Sequence, residues 1–238
     1  MTQFPYRSGE PAWISSSTAD VEMRERSFIR SVYGWMFAGL MLTAFAALAV
    51  VLSPALQRTV LANRMIWWIL VIAEFGLVIY LSARITRMSF ASAAVSFLLY
   101  SFLNGLTLSV IFFAYTSGSI AQAFVTAGGM FAAMSVYGMV TKRDLTSWGS
   151  FFFMGLIGIV LCSIINMFLH SGGLAFAISL IGVFVFLGLT AWDTQKLKLM
   201  ARAGGGVSHN LAVIGALSLY LDFINLFLFL LRLFGRRD

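Results

Sequence analysis

The chain has 238 residues, 60% of them hydrophobic and 11% charged, with a mean hydropathy of +0.91. That apolar share lies well beyond the usual range of a soluble domain and defines an integral membrane protein with little chain left for anything else. The net charge of +7 does not indicate nucleic acid as a partner, because the basic residues sit singly or in pairs at the ends of apolar runs, and Cys162 is the only cysteine, so neither an intrachain disulfide nor a thiolate metal site is available.

The first 29 residues lack a basic start followed at once by an apolar run, and they contain acidic residues; they read as a cytoplasmic N-terminal tail rather than a secretory signal or transit peptide. From there apolar runs predict spans over residues 30–52, 65–84, 89–115, 119–141, 147–169, 173–200 and 210–232, each long enough to cross about 30 Å of hydrocarbon. The breaks fall at Pro54 and at "RITRMS", "TSGS", "TKRDLTS", "HSGG" and "ARAGGGVSHN", where glycine, serine or charge halts the run. The fold class is therefore an all-α membrane protein of seven transmembrane helices, with a membrane domain over residues 30–233.

Of the Lys and Arg residues, 11 fall on the side of the N-terminus and 5 on the other, which puts the N-terminus in the cytoplasm and the C-terminus outside. The basic C-terminus allows one alternative, a last segment that enters and returns; the count is then 14 against 2, but the length of the apolar run favours a span.

A carboxylate at the centre of a span costs about 2.5 to 3.5 kcal/mol on insertion scales, which makes an intramembrane acid a functional candidate. There are three: Glu74, Asp193 and Asp222. Glu74 is nearly central in the second span, either as a carboxyl with a functional role or as a hydrogen-bonding glue between helices. Asp193 stands nine residues before Arg202 and Asp222 twelve after Asn210, so on two antiparallel helices their depths differ by only about 5 Å. Helices joined by a short glycine-rich turn are expected to be neighbours, which lets the carboxyls meet. Two such groups in a low dielectric cannot both ionise cheaply and share one proton, forming a pH sensor; when the proton leaves, the excess charge calls for a cation, and oxygen-only ligands suit a hard ion such as Ca²⁺. The simpler alternative is that Asp193 pairs with Lys196 on its own helix.

Polar faces accompany these acids. Gly215, Ser218, Asp222 and Asn225 recur at helical spacing on the seventh span, and Ser96, Tyr100, Asn104 and Thr107 on the third. Turned inward, they line an ion path or form ordinary interhelical hydrogen bonds. Gly128, Gly129, Ala132 and Ala133 read as packing. Arg84 ends the second span on the predicted cytoplasmic side, where its guanidinium either reaches an aspartate as a latch or snorkels to head groups.

The run "AWDTQKLK" with Asp193, then "LSLYLDFINLFLFLLRLF" with Asp222, together with "FLNGLTLSVIF" containing Asn104 and Gly105, and Glu74 and Arg84 on the second span, resembles the Bax inhibitor-1 family, also called the transmembrane Bax inhibitor motif family. The resemblance covers the chain from about residue 28. It implies a bundle whose last helix is surrounded by the other six, and a pH-sensitive Ca²⁺ leak in which Asp193 and Asp222 sense protons and Arg84 bonds the first of them in gating. It also implies partners: animal members protect against stress-induced cell death, and some bacterial members restrain a membrane-bound AAA protease. A bacterial inner-membrane member without enzymatic activity or cofactor, with Ca²⁺ as the permeating ion, is the resulting expectation; a membrane interaction protein that modulates a protease or a death pathway without transport is the alternative.

Catalytic readings fit less well. Intramembrane aspartyl proteases place a glycine, any residue and a glycine before the second aspartate, whereas Leu219, Tyr220 and Leu221 precede Asp222, and the "PAL" tripeptide at Pro54 lies between the first two spans. The only histidines, His170 and His209, fall in connections predicted on opposite faces, which excludes a zinc hydrolase, and no lysine for a retinal lies between Asn210 and Leu231.

Overall fold

The computed structural model describes residues 18–84, 87–202 and 209–236; the tail up to residue 17 and the glycine-rich turn predicted after Arg202 lie outside them. The described residues form helices only: α1 (Thr18–Leu52), α2 (Pro54–Val60), α3 (Arg64–Arg84), α4 (Phe90–Leu108), α5 (Ile111–Ala114), α6 (Ser117–Val140), α7 (Thr146–Leu169), α8 (Gly172–Arg202) and α9 (His209–Phe234). Counting α4 and α5 as one crossing from Phe90 to Ala114, seven segments are long and apolar enough to span a membrane.

The ends of these helices follow local chemistry. Ser89 accepts a hydrogen bond from the Ser92 amide at the start of α4, and Thr116 accepts one from Ser119 at the start of α6. Pro54 takes the first position of α2, where its missing N–H costs nothing, behind a Ser53 cap. α7 ends at His170, which has a φ of 53° and closes the helix in the left-handed conformation.

Two boundaries differ from the sequence reading. α1 is already helical at Thr18, within the residues expected to form the tail; along this stretch Glu22 and Arg26 lie one turn apart at 3.8 Å, and Glu25 is held by Arg202. The connection after the first span contains α2, whose seven residues are too short to register as an apolar run.

α9 is the axis of the bundle. In its most apolar stretch 72% of residues are buried, against 6% in α7 and 11% in α3. It packs mainly on α1, α4, α6 and α8, while α3 leans on α4 and α7 on α8 as an outer layer. The last helix is thus central, as expected, with four helices as its principal walls. Its two ends also settle the returning-segment alternative. Near its start Asn210 donates to the Met88 carbonyl at 2.5 Å, and beyond its end Arg236 donates to Ser119 Oγ at 3.0 Å while its own carbonyl accepts from the Thr116 amide. Met88 and Thr116 flank opposite ends of the α4–α5 crossing, so α9 runs the full depth of the bundle. We call the end where α1 begins the N-side and the opposite end the C-side.

Candidate functional site, a carboxyl pair and a hydrogen-bonded chain around the central helix

Residues two apart on a helix point to nearly opposite directions. On α9 this sends Tyr220 toward α1 and α4 and Asp222 toward α8, and a separate polar cluster forms on each side.

On one side, the carboxyl groups of Asp193 and Asp222 lie within hydrogen-bonding range of each other. Asp222 is 4% exposed and its Oδ2 has no hydrogen-bond partner in the protein. Asp193 is partly buried and feels the charge of Lys196, yet the Lys196 ammonium sits over the Trp192 ring, 4.9 Å from its centre. Among the described residues the ion pairs within reach are Glu22–Arg26 and Glu25–Arg202, so no cation is paired with either aspartate.

The approach of the neighbouring helices depends on glycine. A Cβ on Gly138 of α6 would stand 2.4 Å from the Ala191 carbonyl and 3.0 Å from Thr194 Cβ, so only hydrogen lets α6 press against the turn of α8 that carries Asp193. Thr194 Oγ1, Ser135 Oγ on α6 and Tyr33 Oη on α1 are buried without partners, which leaves unsatisfied polar atoms on three helices.

On the other side, Glu74 is buried at the middle of α3 and accepts from Asn104 Nδ2 at 3.1 Å and from Thr107 Oγ1 at 2.8 Å. Asn104 Oδ1 in turn accepts from the Tyr220 hydroxyl at 2.9 Å, which is also 2.7 Å from Thr43 Oγ1. Thr43 donates within reach of the Ser101 carbonyl at 2.9 Å. Four helices, α3, α4, α9 and α1, are joined by this chain. Gly105 makes it possible, because a Cβ there would be 2.4 Å from the Thr43 carbonyl oxygen. Edge-on contacts of Phe97 and Tyr100 fix the Tyr220 ring, with centroids 5.7 and 5.8 Å away.

A cavity of about 360 Å³ leads toward this cluster from the C-side; its lining includes Trp67, Glu74, Asn104, Thr107, Tyr115 and Arg232. On the N-side, polar contacts tie the described helix ends together. Gln195 accepts from the Leu145 amide and donates to the Arg143 carbonyl, both at 2.8 Å, Lys198 donates to the Met139 carbonyl, and Arg202 binds Glu25 at 2.5 Å.

The other predicted residues are placed differently. Arg84 is exposed on the last turn of α3 and bonds neither aspartate in this conformation. Asn225 donates to the Leu221 carbonyl of its own helix at 2.8 Å, and Ser218 is half-buried without a bond to the pair. The stripe on α4 does turn inward: Tyr100, Asn104 and Thr107 are buried. Thr43, Tyr220 and Gln195 were not singled out from sequence. Among the described residues no group of three or more His, Cys, Asp or Glu could hold a metal; the aspartates are a pair of carboxyls without a third such side chain.

A central helix ringed by others, carrying a buried carboxyl against a second one, defines a polytopic helical-bundle membrane protein with charge kept inside its core. The chain matches, over residues 25–238, the family described as inhibitor of apoptosis-promoting Bax1. It is 51% identical over 216 residues to inner membrane protein YbhL of Escherichia coli K12, covering 89% of this chain and 92% of that protein. It is also 43% identical to an uncharacterised protein of Borreliella burgdorferi, with 90% and 93% covered, and 42% identical to uncharacterised protein RP147 of Rickettsia prowazekii, with 89% and 90% covered. The chain belongs to the Bax inhibitor-1 family.

Proposed function

We propose that this protein is a proton-responsive leak for cations, with Ca²⁺ as the cargo, in a bacterial inner membrane, as the name of the Escherichia coli relative supports. One observation carries it: Asp193 and Asp222 face each other at hydrogen-bonding range, Asp222 buried, with no ion pair to either among the described residues. Two carboxyls so placed hold a proton between them or admit a positive ion. Protonation closes the pair into a hydrogen-bonded plug between α8 and α9; deprotonation leaves repulsion that favours separation of the helices or entry of a cation.

The cavity that reaches Glu74 from the C-side lies across α9 from the pair; in this proposal it is the outer vestibule, and a cation drawn in by Glu74 passes on to the aspartates only when the helices around α9 separate. The N-terminus is cytoplasmic on the distribution of Lys and Arg, so this cavity faces outward. Arg84 acts as a latch in a second conformation, in which the end of α3 moves toward the aspartates. No enzymatic step or cofactor enters this account.

A membrane interaction protein is the alternative, favoured by the family's description as an inhibitor of apoptosis-promoting Bax1. Its partner would be a membrane protease or a component of a stress or death pathway. Purified protein in liposomes loaded with a Ca²⁺ dye separates the two. Flux above that of empty liposomes supports the leak; none at any pH rejects it in favour of the interaction protein.

A further inference from the structure

A second cavity, about 410 Å³, opens at the C-side between the ends of α7, α8 and α9; it is lined in part by Tyr115, Ser163, Asn166, Gly172, Ser179 and Arg232. No carboxylate lines it. Its walls mix apolar side chains with polar ones; the Ser179 hydroxyl already donates to the Ala175 carbonyl at 2.8 Å, and the donors left over come from Asn166, Arg232 and the start of α8. Asn166 uses its side-chain oxygen to accept from the Ser171 amide at 3.0 Å, which leaves its NH₂ group for other partners. Arg232 has no ion pair within reach among the described residues and lies over the Phe229 ring at 5.7 Å. Ser171 satisfies the amides of Leu174 and Ala175 at the start of α8, so the N–H of Gly172 remains among the unbonded donors of the first turn. Ser163 adds a hydroxyl from one turn deeper on α7.

The surroundings specify where such a ligand comes from. Phe176, Leu180 and Phe184 stand on α8 at spacings of four and are 60%, 42% and 64% exposed, a strip for hydrocarbon that runs from the cavity wall toward mid-bundle. An acid-free cavity that holds a guanidinium and a free amide NH₂ at the end of such an exposed apolar strip has the form of a head-group site.

We infer that this cavity binds the phosphate of a phospholipid head group, with Arg232 and Asn166 as its principal donors and the acyl chains along the exposed face of α8. A guanidinium and an amide match phosphate oxygens in geometry as well as charge. This site is separate from the aspartate pair, and it shares Arg232 with the cavity that reaches Glu74.

The test uses the full-length protein in neutral detergent, with bound lipid counted by native mass spectrometry. Phosphatidylglycerol is titrated alone and against inorganic phosphate, in wild type, Arg232→Gln, Arg232→Lys and Asn166→Leu. We expect saturable lipid binding that weakens about tenfold in Arg232→Gln, as for loss of a charged hydrogen bond, with partial recovery in Arg232→Lys and weakening in Asn166→Leu. Because Asn166 approaches from a different helix, parallel losses in variants that keep wild-type helix content and elution volume locate the ligand in the cavity. Inorganic phosphate bound through Arg232, with no lipid bound, overturns the lipid assignment in favour of free phosphate. Equal lipid binding by wild type and all variants overturns the site.

Discussion

The Tyr220 hydroxyl on the central helix donates to Asn104 Oδ1 at 2.9 Å, and through Asn104 it is connected to the buried carboxylate of Glu74. One phenol thereby fixes the orientation of an amide that must present its nitrogen, not its oxygen, to Glu74. Replacing Tyr220 with Phe leaves Asn104 Oδ1 and Thr43 short of a partner and should cost about 1 kcal/mol, within the range for interhelical bonds in membranes. Asn104→Leu takes one partner from each of Glu74 and Tyr220, which keep Thr107 and Thr43, and should cost more because two bonds are lost. Unfolding titrations in mixed micelles would order the variants as wild type, Tyr220→Phe, Asn104→Leu; a Tyr220→Phe protein less stable than Asn104→Leu would show that the amide is not the hub.

Gly138 is predicted to be intolerant of even one added methyl group. Its Cβ would stand 2.4 Å from a backbone oxygen of Ala191, which no rotamer change can relieve. Gly138→Ala should destabilise by about 1 to 3 kcal/mol, the usual cost of overpacking. Gly129→Ala on the same helix, where nothing lies within 4 Å, is the control and should leave the thermal midpoint in detergent unchanged.

The spans and the pair of aspartates were legible because each rests on a strong local signal. An apolar run of about 20 residues has few meanings, and a carboxylate inside it is costly enough to stand out. The depth argument for Asp193 and Asp222 needed only helix rise and a short connection. Thr43 and Tyr220 were not legible for the opposite reason: a threonine or a tyrosine in a span is cheap, and nothing local distinguishes a network member from a bystander. Ser218 and Asn225 share the spacing of Asp222, yet periodicity gives a face and not a partner, and Asn225 turns to its own backbone. Gln195 lies outside any pattern, since its partners Arg143 and Leu145 belong to another connection.

Gln195 should control the connection between α6 and α7. It both accepts from and donates to that short segment, so Gln195→Leu removes two hydrogen bonds at once. Amide hydrogen exchange at Leu145 is expected to accelerate by about tenfold, equivalent to roughly 1.4 kcal/mol of local opening. Unchanged exchange would mean that the connection is held by packing.

Arg84 should be dispensable for folding. It is exposed and bonds neither aspartate, so Arg84→Gln should shift unfolding by no more than about 0.5 kcal/mol. Under the latch proposal the same substitution alters the pH profile of flux. A stable variant with a wild-type profile would assign Arg84 to the membrane surface instead.

The central claim is that Asp193 and Asp222 act as one titrating unit. The most direct measurement is Ca²⁺ flux into liposomes across a pH series for wild type, Asp193→Asn and Asp222→Asn. Flux is expected to change with pH in the wild type and to become independent of pH in both variants, because an amide in either place ends the sharing of a proton. A pH response that persists undiminished in either variant would contradict it.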